Sequence, residues 1–218
     1  MTNPHDTRPH PHDDTHDDVA ALHLAIPGDR RPSICRVAAT GDGNLSLQLA
    51  RLILDTHTGV GDVVLDIDDD VAFGAAAARA GRRHHALGGA QHLATMGHAA
   101  GYIDMVLLHW PRPAVNPRLL LIACRSLLRN AGVLVIAVSV ELDHRVSHLS
   151  ALGGAATTAE LHLIDHIAAV DSDTAAATRV AAPRRAVRGQ GIAASTAEAP
   201  RVPVPHTDLL IFSPARGA

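Results

Sequence analysis

The chain has 218 residues, enough for one α/β domain with a full core and a modest tail. All 19 basic residues are arginine and the net charge is −3, so no overall field draws the protein to nucleic acid, and binding there would need a local basic patch that is not evident. Cys35 and Cys124 lack CxxC spacing and sit in apolar contexts, as free thiols in a reducing cytoplasm do. With an acidic N-terminus and no apolar run of roughly 18 residues, the expectation is a soluble cytoplasmic protein.

Residues 1–20 are polar, proline-punctuated and expected to be disordered. His5, His10, His12 and His16 alternate with aspartates there, but a flexible segment lacks the fixed geometry a metal needs, so a solvated tail is the better reading. From residue 21 onward a single domain is expected.

"LSLQLARLILDTHT" places Leu45, Leu49, Leu52 and Ile53 at helical spacing, and "GVGD" stops that helix. "DVVLDI" is a short buried strand, and "VAFGAAAARAG" a helix of small residues ended by Gly81. "RRHHAL" reads as a second strand and "YIDMVLLHWP" as a stronger one ended by Pro111 and Pro113. "PRLLLIACRSLLRNAG" predicts an amphipathic helix with its stop at Gly132, followed by the buried strand "VLVIAVSV". A further helix carries His144 and His148, with Gly153-Gly154 as its expected stop. "ELHLIDHIAAVD" and "TDLLIFSP" are strands separated by a low-complexity loop over residues 174–205. Strands alternating with helices imply a Rossmann-like three-layer sandwich, and the last two strands an antiparallel pair at the edge of a mostly parallel sheet.

Taken in order, "DTHTGVGDVVLDI", "AGRRHHALGG", "IDMVLLHWPRP", "SLLRNAGVLVIAVS" and "VPHTDLLIFSP" resemble the actinobacterial members of the S-adenosylmethionine-dependent DNA amino-methyltransferase family. The matching family segments run "YTxPGD", "VLDPFAGSGTT", "GRRxxGVE", a "(D/N/S)PPY" tetrapeptide, "LLxPGG" and "HxDLLVF". The resemblance spans about Leu45 to Phe212 and implies a class I methyltransferase fold with S-adenosylmethionine as cofactor.

It also implies two loops. The first, after the strand ending in Asp66, would hold the cofactor through Asp66, Asp68, Asp70 and Gly74, with His85 or Gln91 at the end of the next strand in place of the family's ribose-binding acid. Here "IDDDVA" replaces "PFAGSG", so Asp70 and Ala72 stand where glycines would be. Three adjacent aspartates disfavour an anionic cofactor group yet suit a helix N-terminus, and the capping reading is the better one. The short stretch before Asp104 also leaves little room for the family's third strand.

The second loop aligns His109, Trp110, Pro111 and Arg112 with the catalytic tetrapeptide. A base amine would be held there by an acceptor side chain and a proline carbonyl, with an aromatic residue stacking on the flipped base. One reading is a rebuilt site in which His109 accepts a proton and Trp110 stacks on a ring. The favoured alternative has Trp110 capping the core and His109 idle.

Glu141, His144 and His148 have metal-ligand spacing on a helix, but with 16 histidines such spacing arises readily by chance, so no metal is expected. Ser139 and Ser150 lack the G-x-S-x-G setting of a hydrolase. Two functions from different classes remain. One is a methyltransferase acting on a nucleic-acid base or another amine. The other is a non-catalytic binding or regulatory module on the same fold, with a protein partner engaged through residues 174–205.

Overall fold

The computed structural model describes residues 33–37, 44–140, 142–171 and 206–215. The tail 1–20 and the loop 174–205 lie outside them. The strands are β1 (Ser33–Val37), β2 (Val63–Asp66), β3 (Arg83–Ala86), β4 (Ile103–Trp110), β5 (Leu128–Val138), β6 (Leu161–Asp171) and β7 (His206–Pro214). The α-helices are α1 (Leu47–His57), α2 (Val71–Arg79), α3 (Pro117–Leu127) and α4 (Leu142–Thr158), with a 3-10 segment over Ala90–Ala99.

The strands form one seven-stranded sheet in the order β1-β6-β7-β5-β4-β2-β3. Only β7 runs antiparallel, between β5 and β6. Alternate residues of each strand point to opposite faces, and both faces are covered. Val64, Met105, Leu107, Val135 and Leu209 meet α1 and α2, while Leu65, Val106, Leu108, Ile136 and Phe212 meet α3 and α4. This is the expected Rossmann-like three-layer sandwich. The chain leaves β2 outward to β3, then crosses back to β4 on the other side, so the topological switch lies between β2 and β4.

Several expectations are corrected. The antiparallel pair is not at an edge, because β1 pairs parallel with the outer side of β6. As the short stretch before Asp104 implied, a 3-10 segment and no strand follows β3, whereas the edge strand "SICRV" was not expected. Helix α3 stops at Leu127, because Leu128 is buried opposite Ile103 as the first residue of β5. Gly132 instead lies at a strand irregularity, where a Cβ would stand 2.9 Å from the Ile103 carbonyl oxygen. Helix α4 runs through Gly153 and Gly154 to Thr158, since Leu149, Leu152, Ala155, Ala156 and Ala159 are buried around them. Each buried leucine contributes about 1.5–3 kcal/mol, more than the roughly 1 kcal/mol that a helical glycine costs. In α1, Leu52 is 42% exposed, and Leu54 takes the inward position.

Other local signals hold. Ser46 caps α1 by accepting from Leu49 N, and Gly81 follows the α2 C-cap with φ of +69°. Arg82 donates to Thr58 Oγ1, Thr58 O, Leu54 O and Ala80 O, tying the end of α1 to the turn before β3. Among the described residues no helix is long and apolar enough to cross a membrane.

Candidate functional site

The loop after β2 turns on the Asp66 side chain, which is fully buried. Asp66 Oδ1 accepts from the Asp68 amide at 3.0 Å, and Oδ2 from the Asp70 amide at 2.6 Å. Burial raises the Asp66 pKa above its ordinary value, against the opposing pull of these two N–H donors. His84 Nε2 stands 3.5 Å from Asp66 Oδ2, at the outer limit for a hydrogen bond. Two amides of the loop that leads into α2 are therefore held by the protein's own carboxylate.

Asp70, buried at 1% exposure, is the N-cap of α2: Oδ1 accepts from Phe73 N at 2.8 Å. Its Oδ2 accepts from Leu45 N at 2.8 Å and faces His109 Nε2 at 3.1 Å. A carboxylate only accepts, so His109 carries its proton on Nε2. Burial by itself would raise the Asp70 pKa, but the hydrogen bonds from His109, Leu45 and Phe73 outweigh it and the group lies below its ordinary value. Asp69 is exposed and takes the left-handed conformation, with φ of +61°, that aspartate tolerates better than most residues.

Asp68 closes the arrangement from the other side. Its Oδ2 accepts from His109 N at 2.7 Å, and its Oδ1 pairs with Arg112 Nη2. Arg112 Nε donates to the His109 carbonyl oxygen at 3.1 Å. The loops after β2 and β4 are thus clasped together across the switch point, where a doubly wound sheet binds its ligands.

The structure separates residues that the sequence grouped together. His109 and Trp110 are successive residues of β4, so they point to opposite faces. His109 turns toward Asp70 and α2, whereas Trp110 is 6% exposed within the α3–α4 core. Trp110 Nε1 donates to His148 Nδ1 at 3.0 Å, and the two rings meet edge to face. Trp110 therefore caps the core, and His109, far from idle, is bonded into the clasp. His148 is engaged as this acceptor, His144 is exposed, and Glu141 lies outside the described residues. No His, Cys, Asp or Glu cluster suited to a metal occurs among the described residues. Pro111 is exposed at the loop.

The remaining cofactor candidates are not brought into the crevice. Gly74 lies against the His84 ring, 3.1 Å from a Cβ built on it, so it serves helix-to-strand packing. His85 is exposed on the edge strand β3. Gln91 lies on the 3-10 segment and lines a separate cleft. A buried group that the sequence did not reveal joins α4, β6 and β7: Asp208 accepts from His166 Nε2 at 2.9 Å and pairs with Arg145. Only the position of Asp208 inside "HTDLLIFSP" hinted at it.

No family model and no curated protein matches the chain. Among solved structures it is similar to geranyl diphosphate C-methyltransferase from Streptomyces coelicolor A3(2), at 12% identity and TM-score 0.47, over 76% of this chain and 78% of that one. It is also similar to 1,6-didemethyltoxoflavin-N1-methyltransferase from Burkholderia thailandensis, at 15% identity and TM-score 0.45, over 78% of each chain. The TYW2 protein of M. jannaschii, solved with AdoMet, shares 12% identity at TM-score 0.47, over 80% of this chain and 77% of that one. Likenesses this distant carry no argument about chemistry. The fold assignment stands on the strand order and the two covered faces.

Proposed function

We propose that this chain is a methyltransferase-like protein, related to the DNA amino-methyltransferases by the order of its motifs, in which methyl transfer is weak or lost and the fold serves as a binding or regulatory module. One observation carries the reading: the Asp66 carboxylate takes the Asp68 and Asp70 amides, while Asp68 and Asp70 are bonded to Arg112 and His109.

S-adenosylmethionine is the cofactor that the fold and the motif order imply, and the loop in its present arrangement does not fit it. The methionyl carboxylate would meet amides already satisfied by Asp66 and would enter beside two further buried or half-buried carboxylates, a like-charge encounter that disfavours binding. At the end of β3, "ALGG" offers no acid to the ribose hydroxyls. A base amine would find His109 committed to Asp70 and Trp110 turned into the core.

Two free cysteines support a cytoplasmic setting. A protein partner engaged through residues 174–205 belongs to the same reading, and a nucleic-acid substrate belongs to the enzymatic one. Calorimetric titration with S-adenosylmethionine and S-adenosylhomocysteine tests the proposal. Silence from a protein that melts cooperatively supports a module, and saturable micromolar heat would restore the enzyme.

A further inference from the structure

Beside the clasp, an open cleft of about 780 Å³ runs between the 3-10 segment and α3, with the loop after β4 along its lining. Its volume falls within the roughly 300–1,000 Å³ typical of small-molecule sites. We propose that this cleft binds an uncharged amphipathic small molecule, with an aliphatic body and a carbonyl or amide head, and that this is the ligand of the binding module inferred above.

The walls set the body. Leu93, Leu120 and Leu127 are buried and form its apolar lining, and the small residues Ala94, Gly97 and Ala123 keep it open. Leu119, 66% exposed at the rim, would lose water on occupation. No aromatic side chain lines the cleft, so nothing in it selects a flat ring by stacking.

The inner end sets the head. A guanidinium carries five N–H donors, and Arg112 commits two, to His109 O and to Asp68, which leaves three. Gln91 and Asn116 are exposed at the rim, the first with no side-chain hydrogen bond among the described residues and the second engaging its Oδ1 as the cap of α3. The uncommitted polar groups that Arg112 brings to the cleft are all donors. Because Asp68 already balances the Arg112 charge, an anion would compete with that carboxylate and a cation would meet the guanidinium. A neutral acceptor group meets neither penalty.

The test uses the full chain, isotope-labelled, titrated with octanamide, octanoate and octylamine while amide and side-chain N–H signals are followed. Octanamide should shift the Arg112 Nε–H, the Gln91 amide and the Ala94 and Ala123 signals saturably, with the two charged probes at least about tenfold weaker. Ala123→Phe should weaken octanamide at least about tenfold, and Ala94→Leu, on the opposite wall, should do the same if the first variant melts early. Shifts that persist in both variants, or no saturable shift from any probe, overturn the site. Equal binding of all three probes overturns the head-group chemistry. The proposal rests on the non-catalytic reading, so S-adenosylmethionine is added in a separate arm. Cofactor-dependent shifts at the Asp68 and Asp70 amides would remove that reading while leaving the octanamide result interpretable.

Discussion

Replacing Asp70 with alanine removes three acceptor contacts at once, and the size of the effect follows from what each leaves behind. Loss of the α2 N-cap, made to Phe73 N, costs about 0.5–2 kcal/mol. Leu45 N, on a residue only 2% exposed, would be stranded without a partner at a cost of about 1–3 kcal/mol. Together these give roughly 1.5–5 kcal/mol, and a domain of this size loses about 2–4 °C in Tm per kcal/mol. Chemical denaturation at neutral pH and thermal melts read this directly. The pH dependence supplies the sign. The folded-state pKa of Asp70 is depressed below its ordinary value of 3.8, so its contribution is complete above the unfolded pKa and fades as pH falls through the folded one. The gap between wild type and Asp70→Ala should therefore be flat from pH 7 to about 5 and narrow below about 4. A variant within about 0.5 kcal/mol of wild type at pH 7, or a gap that does not narrow in acid, would refute the reasoning.

In a double-mutant cycle with His109→Ala, the Asp70–His109 pair should show coupling of about 0.5–3 kcal/mol, and strict additivity of the two losses would contradict the clasp. Trp110→Ala should destabilise by about 3–5 kcal/mol. His148→Ala, which removes the acceptor of the Trp110 N–H together with the edge-to-face ring contact, should cost about 1–3 kcal/mol, and a silent His148 variant by denaturant titration counts against that bond. Gly132→Ala and Gly154→Ala should act in opposite directions. A Cβ at Gly132 meets the Ile103 carbonyl oxygen and should cost about 1–3 kcal/mol, whereas Gly154 faces open space on α4 and should gain about 0.5–1 kcal/mol, as paired melts would show. Burial pushes the Cys124 thiol up to about 12, so in the native protein the half-buried Cys35 should be alkylated first and Cys124 only on unfolding; equal rates by mass spectrometry would contradict its burial.

Much of the fold was legible because hydrophobic period and punctuation agree along most of the chain. "VVLD", "IDMVLLHW" and "TDLLIF" are runs that only a sheet covered on both faces buries, and Gly81 ended its helix where it should. The misses share a cause. Gly132 and the Gly153-Gly154 pair looked like stops from local propensity, but burial of Leu128, and of Leu149 and Leu152, decided where α3 and α4 end. "SICRV" carries no distinctive period, and its place as an edge strand follows from pairing with β6, about 130 residues later by register.

At the site, the capping role was legible from the acids placed just before α2, and of these Asp70 alone fills it. What stayed hidden was complementarity between distant positions. The acids in one loop and His109 and Arg112 in the other, where the resemblance led one to expect glycines and a tetrapeptide, looked like two separate departures. They meet as hydrogen-bonded partners, a relation that only the adjacency of β2 and β4 reveals. His109 and Trp110, adjacent in sequence, separate for a simpler reason, since neighbours on a strand face opposite ways.

We infer that the Asp68–Arg112 and Asp70–His109 contacts close the β2–β4 switch to a cofactor. Titrating S-adenosylhomocysteine into the folded wild-type chain, by calorimetry with amide spectra recorded alongside, tests it most directly. No saturable heat in the micromolar range and unmoved Asp68, Asp70 and His109 amides are expected. Micromolar binding with shifts centred on those amides would contradict it.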